Sequence, residues 1–273
     1  MGGHRRGAMG KILAVVIVII GLASAYPILK NQYPLPEDIS THGHLIDDQL
    51  NDTMIEAGIS FVGAQLVLAY FLWAFSGRKA GSPLKDFPGG AKLLVIFAFV
   101  IVGLEVLALG AFGQKAWASV YFTPAKADSL QIQAQAEQFA FYFRYAGPDG
   151  KFGMIHPDKI DEGNQNYFGL DPEYDVAARD DIVSGELVVP VNKEIHLMLH
   201  GKDVGHSFYV RELRIQQDFV PGLDLSVHFT ATKVGKYEIV CTQLCGLGHY
   251  NMKAYLNVMS QADFDAWLKQ QSQ

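Results

Sequence analysis

The stretch LVVPVNKEIHLMLHGKDVGHSFYVREL, residues 187–213, decides the fold of the C-terminal half of this chain. It divides into runs at 187–191, 195–199 and 207–213, separated by the turn-forming Val191-Asn192-Lys193 and Gly201-Lys202-Asp203. Apolar residues recur at every second position in 195–199 and 207–211, which places alternate side chains on one face as in a half-buried β-strand, while the apolar 187–191 has the length of a strand. Working outward, the same pattern recurs at 225–230, 235–240 and 254–258, punctuated by Pro221-Gly222 and Lys233-Val234-Gly235. Many short strands at such spacing predict an all-β sandwich or barrel from about Ser129 onward. Residues 147–185, rich in Gly, Pro, Asp and Asn, read as a long and mostly irregular surface excursion. Ser260 as N-cap, with Phe264, Trp267 and Leu268 at helical spacing, predicts a closing helix over 261–271.

A chain of 273 residues with 49% hydrophobic side chains could be one large domain or membrane segments plus a domain, and the distribution of apolar residues decides. They concentrate in three runs, 12–29, 55–75 and 93–112. The first follows Arg5, Arg6 and Lys11 and contains Ala23-Ser24-Ala25, the pattern of a signal peptide or of a first span. The other two approach the ~20 residues that cross a bilayer core. Between them lie Arg78, Lys79, Lys85 and Lys92 against the single acid Asp86, whereas the preceding loop carries Glu37, Asp38, Asp47, Asp48 and Asp52. That bias directs the basic connection inward and everything from about Gln114 outward. The expected layout is therefore a signal-peptide-like or first transmembrane segment at 1–30, an outer loop at 31–52, a transmembrane helical hairpin at 53–113 and an exported domain at 114–273. Glu105 stands in the middle of the third run, where a carboxyl group needs a partner or a water-filled path.

The chemistry is concentrated in Cys241-Thr242-Gln243-Leu244-Cys245-Gly246-Leu247-Gly248-His249-Tyr250-Asn251-Met252, with His206 upstream in Gly205-His206-Ser207-Phe208. One loop between two strands thus presents two thiols, an imidazole and a thioether. Soft sulfur with imidazole nitrogen suits copper, whereas a structural zinc site would show four Cys or His ligands in paired spacing and no Met. A disulfide is the default for an exported Cys pair, but leaves two histidines and a methionine at ligand spacing unexplained. A mononuclear copper site of one Cys, two His and a Met needs only one of the thiols. His42 with His44, and His196 and His200 beside Met198, read as surface or packing histidines.

With these residues in place, the chain resembles subunit II of cytochrome c oxidase and related heme-copper oxidases from the second apolar run onward. Cys241 follows His206 by 35 positions, and Gln217-Asp218-Phe219-Val220-Pro221-Gly222 looks like the Asp-x-x-Pro-Gly turn of that family. The resemblance implies a cupredoxin-like sandwich with a binuclear copper A centre. In it Cys241 and Cys245 bridge two copper ions, His206 and Met252 complete one, and His249 with the backbone carbonyl of Gln243 completes the other. It implies an electron-accepting subunit in the inner (cytoplasmic) membrane, its copper domain on the periplasmic side. The donor would be a periplasmic cytochrome c, and the acceptor heme in a partner catalytic subunit that reduces dioxygen to water.

Three departures qualify what the resemblance carries over. Gln243 stands where many relatives have Glu, which leaves the carbonyl ligand intact but removes the carboxylate that supports magnesium in those relatives. The segment Gln138-Phe139-Ala140-Phe141-Tyr142-Phe143-Arg144-Tyr145 replaces the tryptophans of the family, so Phe139 and Phe141, with Asp218, are the candidates for electron acceptance at the surface. The acid of the family's proton path has no counterpart at 88–95, where Lys92 stands. From Lys115 onward 14 Lys and Arg face 20 Asp and Glu, a net charge of −6 that would steer a basic carrier and offers no footing for nucleic acid. The alternatives are the same subunit in a copper A nitric oxide reductase, and a membrane-tethered copper-binding protein.

Overall fold

The computed structural model of the protein describes residues 2–30, 32–77 and 90–272. They form two units, one of residues 1–35 and 47–115, the other of 36–46 and 116–273. The first unit is helical. Helix α1 runs Gly2–Leu29, α2 Gly43–Phe75 and α3 Gly90–Ala108, followed by a π-helical turn Leu109–Gly113 and the short α4, Gln114–Tyr121. Three segments, Gly7–Leu29, Gly43–Phe75 and Val95–Tyr121, are long and apolar enough to cross a membrane. Arg78, Lys79, Lys85 and Asp86, on which the expected orientation of the hairpin rests, lie outside the described residues. Glu105 is exposed on α3.

Two boundaries differ from expectation. Helix α2 begins at Gly43, inside the expected outer loop, because the polar turns through Asp47, Asp48 and Asp52 are helical although hydropathy cannot see them. Ser40 Oγ accepts the N–H of Gly43 at 2.8 Å and so receives the first turn. The remainder of that loop belongs to the β-unit. Ile39 is fully buried there, its N–H donates to Glu212 O at 3.0 Å, and its carbonyl accepts from Thr232 N at 2.7 Å.

The second unit is a cupredoxin-like sandwich of two five-stranded sheets. The strands are β1 Leu130–Glu137, β2 Ala140–Tyr145, β3 Ile182–Ser184, β4 Leu187–Pro190, β5 Glu194–Gly201, β6 His206–Val210, β7 Ile215–Phe219, β8 Leu225–Thr230, β9 Gly235–Val240 and β10 Lys253–Met259. One sheet has the order β3-β2-β1-β5-β8 and the other β4-β10-β9-β6-β7. The pairs β1/β5 and β4/β10 are parallel. The alternation read at 195–199 is realised in β5, where Ile195, Leu197 and Leu199 are wholly buried and the residues between them face out. Core aromatics Phe143, Tyr145, Phe208 and Phe229 each contribute ~1.5–3 kcal/mol by leaving water. Tyr145 also ties the sheets together, its hydroxyl donating to Val188 O at 3.0 Å and accepting from Val188 N at 2.6 Å. The closing helix α5, Gln261–Gln271, is capped by Ser260 as expected, and Trp267 meets the Tyr145 ring edge-on at 5.0 Å.

The strand expected over 207–213 ends at Val210. Arg211–Leu213 form a 3-10 turn, and Arg214 adopts φ 57°, which reverses the chain into β7. The excursion at 147–185 is irregular apart from single 3-10 turns and β3. What holds it is buried in the sheet beneath: Arg144 of β2 pairs with Asp181, donates to Gly153 O at 2.6 Å, and lies over the rings of Phe152 and Phe168.

Candidate metal centre

Strands β9 and β10 pair up to Val240 opposite Lys253, and the N–H of Cys241 donates to Met252 O at 3.2 Å, closing the base of the loop 241–252. Within the loop, His249 N–H reaches Gly246 O at 3.2 Å and Asn251 N–H reaches Gly248 O at 3.0 Å. The turn between β1 and β2 lies across it. Gln138 Nε2 donates to Cys245 O at 2.6 Å, and a Cβ at Gly248 would come within 2.5 Å of the Phe139 ring. Glycine at 248 is therefore what lets that ring settle onto the loop, while Gly246 supplies a φ of +136° that other residues avoid.

All six candidate ligands converge. The Sγ atoms of Cys241 and Cys245 are 3.9 Å apart and both thiols are free. The Cys245 Sγ lies 3.7 Å from Met252 Sδ and 3.6 Å from His249 Nδ1, and the Cys241 thiol points at the Gln243 carbonyl oxygen, 3.1 Å away. The nearest ring nitrogen of His206 and both sulfurs lie within 4.8 Å of one another. Cys241, Cys245, Met252 and His206 are buried, and burial, reinforced by the Cys241 thiol, pushes the Cys245 thiol up to about 11. A metal taken up here must displace those protons.

His206 is aimed by a residue that the sequence motif did not single out. Its Nε2 lies 2.8 Å from Asp203 Oδ1. The same carboxylate accepts from Val204 N at 2.7 Å and Gln138 N at 2.8 Å. Burial works against the Asp203 carboxylate, but these donors prevail and hold its pKa below the ordinary value. Since the carboxylate only accepts, Nε2 carries the proton and Nδ1 keeps its lone pair. That Nδ1 is buried without a hydrogen-bond partner. A carboxylate behind an imidazole whose other nitrogen is unsatisfied is the arrangement that positions a metal ligand. Two soft thiols, a thioether, two imidazole nitrogens and a carbonyl fit copper. An acid three residues before the histidine was the available signal for Asp203.

The other candidates fall in different places. Phe139 is 41% exposed over the loop, whereas Phe141 is buried in the core, 5.8 Å from the Phe219 ring. Asp218 lies on β7 opposite Ser207, half-buried. The Gln243 side chain is exposed, as are the apolar side chains of Leu244, Leu247 and Tyr250 in the same loop.

Residues 169–259 match the family described as cytochrome C oxidase subunit II, periplasmic domain. The alternative cytochrome c oxidase subunit 2 of Bradyrhizobium diazoefficiens is 30% identical over 265 residues, covering 95% of this chain and 91% of that one. Cytochrome c oxidase subunit 2 of Cereibacter sphaeroides is 27% identical over 247 residues, covering 87% and 78%. Among solved structures, the periplasmic domain of subunit II of the Bradyrhizobium japonicum oxidase aligns with a TM-score of 0.39 at 29% identity, covering 54% of this chain and 94% of that one.

Proposed function

From the premise that the chain belongs to the cytochrome c oxidase subunit II family, we propose that it is the electron-accepting subunit of a heme-copper respiratory complex in the inner membrane. The residues that would hold its two copper ions are Cys241, Cys245, His206, Met252, His249 and, through the backbone carbonyl, Gln243. The observation that carries this reading is the buried, unpartnered Nδ1 of His206, on a ring held through Nε2 by Asp203 and close to two free thiols. Copper bound by this set supplies one-electron chemistry at a potential tuned by the sulfurs.

The rest is the work of the chain's own residues. The loop is closed at its base by Cys241 and Met252, braced from the side by Gln138 and from behind by Asp203, so the donor atoms are held before and after a change of charge. A rigid ligand set costs little reorganisation when an electron arrives. Phe139, lying on Gly246 and Gly248 with part of its face open, excludes water from the loop and offers a contact surface to a periplasmic cytochrome c, with Asp218 and the net negative charge steering it. Phe141, deep in the sandwich, serves packing. The electron passes to heme in a partner membrane subunit, where dioxygen is reduced to water. Glu105, exposed on α3, would meet a partner subunit or a water-filled path there. With an amide at Gln243, no carboxylate from this position supports a magnesium ion.

The test is copper stoichiometry with electron paramagnetic resonance on the full-length chain in detergent after copper loading. Two coppers per chain sharing one unpaired electron is the expected result. A single copper, or a Cys241–Cys245 disulfide that excludes it, overturns the reading.

A further inference from the structure

We propose that His196 and His228 form a second metal site, separate from the sulfur loop, for one borderline divalent ion such as Zn2+ or Cu2+. The two residues are directly paired across the antiparallel strands β5 and β8. Directly opposed residues have Cβ atoms about 4.5–5.5 Å apart on one face, a span that two imidazoles can share on one ion with metal–nitrogen bonds of about 2.0–2.1 Å.

The hydrogen bonds fix which nitrogen each ring presents. His228 Nε2 lies 2.7 Å from the backbone carbonyl of Thr123, which can only accept, so Nε2 carries the proton and Nδ1 the lone pair. His196 Nδ1 lies 2.6 Å from Gln131 Oε1. The Gln131 amide orientation is set by its Nε2, which faces the Ser129 carbonyl oxygen, an obligatory acceptor, at 3.3 Å as well as Ser129 Oγ at 2.9 Å, so Oε1 is the acceptor and His196 presents a lone pair at Nε2. Each imidazole is thus held through one nitrogen by an oxygen acceptor and left with a basic nitrogen that has no protein partner among the described residues. This is how ligating histidines are supported from behind.

Both rings line one cleft of about 440 Å³, together with Gln131, Ser226, Tyr121 and Thr123. Its size leaves room for waters to complete a coordination shell around an ion gripped by two nitrogens. The cation in the lining, Lys126, is neutralised by Glu194, which accepts its backbone N–H at 2.6 Å and lies 3.2 Å from its ammonium. Burial, aided by the neighbouring His228, pulls the His196 pKa down, which keeps that ring neutral and able to ligate. The cleft residues 120–127 lead from α4 into β1, so an ion here would tie that connection, through Thr123, to β5 and β8.

The experiment is a calorimetric titration of the full-length chain in detergent with Zn2+ after the sulfur loop has been loaded with copper. One Zn2+ per chain is expected, with saturable binding lost in His196→Gln and in His228→Gln. Gln131→Leu, which removes only the acceptor behind His196, weakens binding ~10-fold, and His200→Gln leaves it unchanged. Cu2+ in place of zinc gives a mononuclear paramagnetic signal with two coupled nitrogens. Absence of saturable binding to the parent chain, or binding that survives both histidine substitutions with the circular dichroism intact, overturns the site. A loop that fails to load with copper leaves the histidine dependence of the zinc titration readable, so the two proposals fail separately.

Discussion

Replacing Asp203 with alanine removes the carboxylate that holds His206 and that also accepts from Val204 N and Gln138 N. The imidazole Nε2–H, on a ring that is wholly buried, then has no acceptor. Leaving a buried donor unsatisfied costs about 1–3 kcal/mol. Loss of the group behind a ligating histidine lowers metal affinity about 10–100-fold, equivalent to about 1.4–2.7 kcal/mol, so two independent routes give the same magnitude. Removing a negative charge beside the centre also disfavours the oxidised metal more than the reduced. Each tenfold difference between the two states raises a one-electron potential by about 59 mV. Asp203→Asn keeps an acceptor for His206 and Val204 N at the Oδ1 position while removing the charge and the acceptor for Gln138 N, so it isolates the bond to His206 from the electrostatic effect. The assay is competition for copper by a chelator, followed by absorption, with a potentiometric titration of each variant. Expected are weakened copper and a raised potential in Asp203→Ala, and a raised potential with copper largely retained in Asp203→Asn. An alanine variant that holds copper as tightly as the parent, at an unchanged potential, refutes the idea that the carboxylate positions the ligand.

Cys241→Ser or Cys245→Ser removes one of two paired sulfurs, and the shared-electron signal should vanish in either variant, as read by paramagnetic resonance. Gly248→Ala drives a methyl into the Phe139 ring and should destabilise the domain by ~1–3 kcal/mol, as overpacking does. Phe139→Ala added to it should restore much of that loss in thermal unfolding. Asp181→Asn leaves the Arg144 guanidinium buried without its counter-charge and should cost about 3–5 kcal/mol in chemical unfolding, whereas removing both partners in favour of apolar residues should cost less. Because the Cys245 thiol is pushed up to about 11, copper must displace its proton throughout the physiological range. Apparent copper affinity should therefore rise with pH, and chelator competition at pH 6, 7 and 8 would show the trend; an affinity independent of pH would mean that the thiols are already ionised.

The features that the sequence made legible are those with a strong local period or a rare residue combination. Strand β5 alternates between core and surface from Glu194 to Leu199, and the sulfur loop joins four side-chain ligands of three types between two strands. Asp203 was hidden because a turn-forming acid after glycine and lysine is ordinary, and only its position behind a buried ring distinguishes it. Strand β7 was missed because Gln216, Gln217 and Asp218 separate its two apolar ends, Ile215 and Phe219; pairing with β6 supplies what its composition lacks. The start of α2 escaped notice because an apolar run marks where a helix enters lipid, not where its hydrogen bonds begin. His228 was invisible as a partner of His196, since they meet only through strand register.

The placement of residues 36–46 in the sandwich bears on biogenesis. A ribosome delivers Ile39 before α2 and α3 and β1 to β10 after them, yet Ile39 is buried in the sandwich core and shares backbone bonds with Glu212 and Thr232. Folding of the β-unit therefore cannot finish until residues 36–46, made before α2 and α3, and the strands made after those helices can meet. Where α2 and α3 each cross a bilayer, insertion of both becomes a precondition of a finished β-fold, and a chain in which only one of them crossed would betray itself to quality-control proteases through an open core and unpaired strand edges.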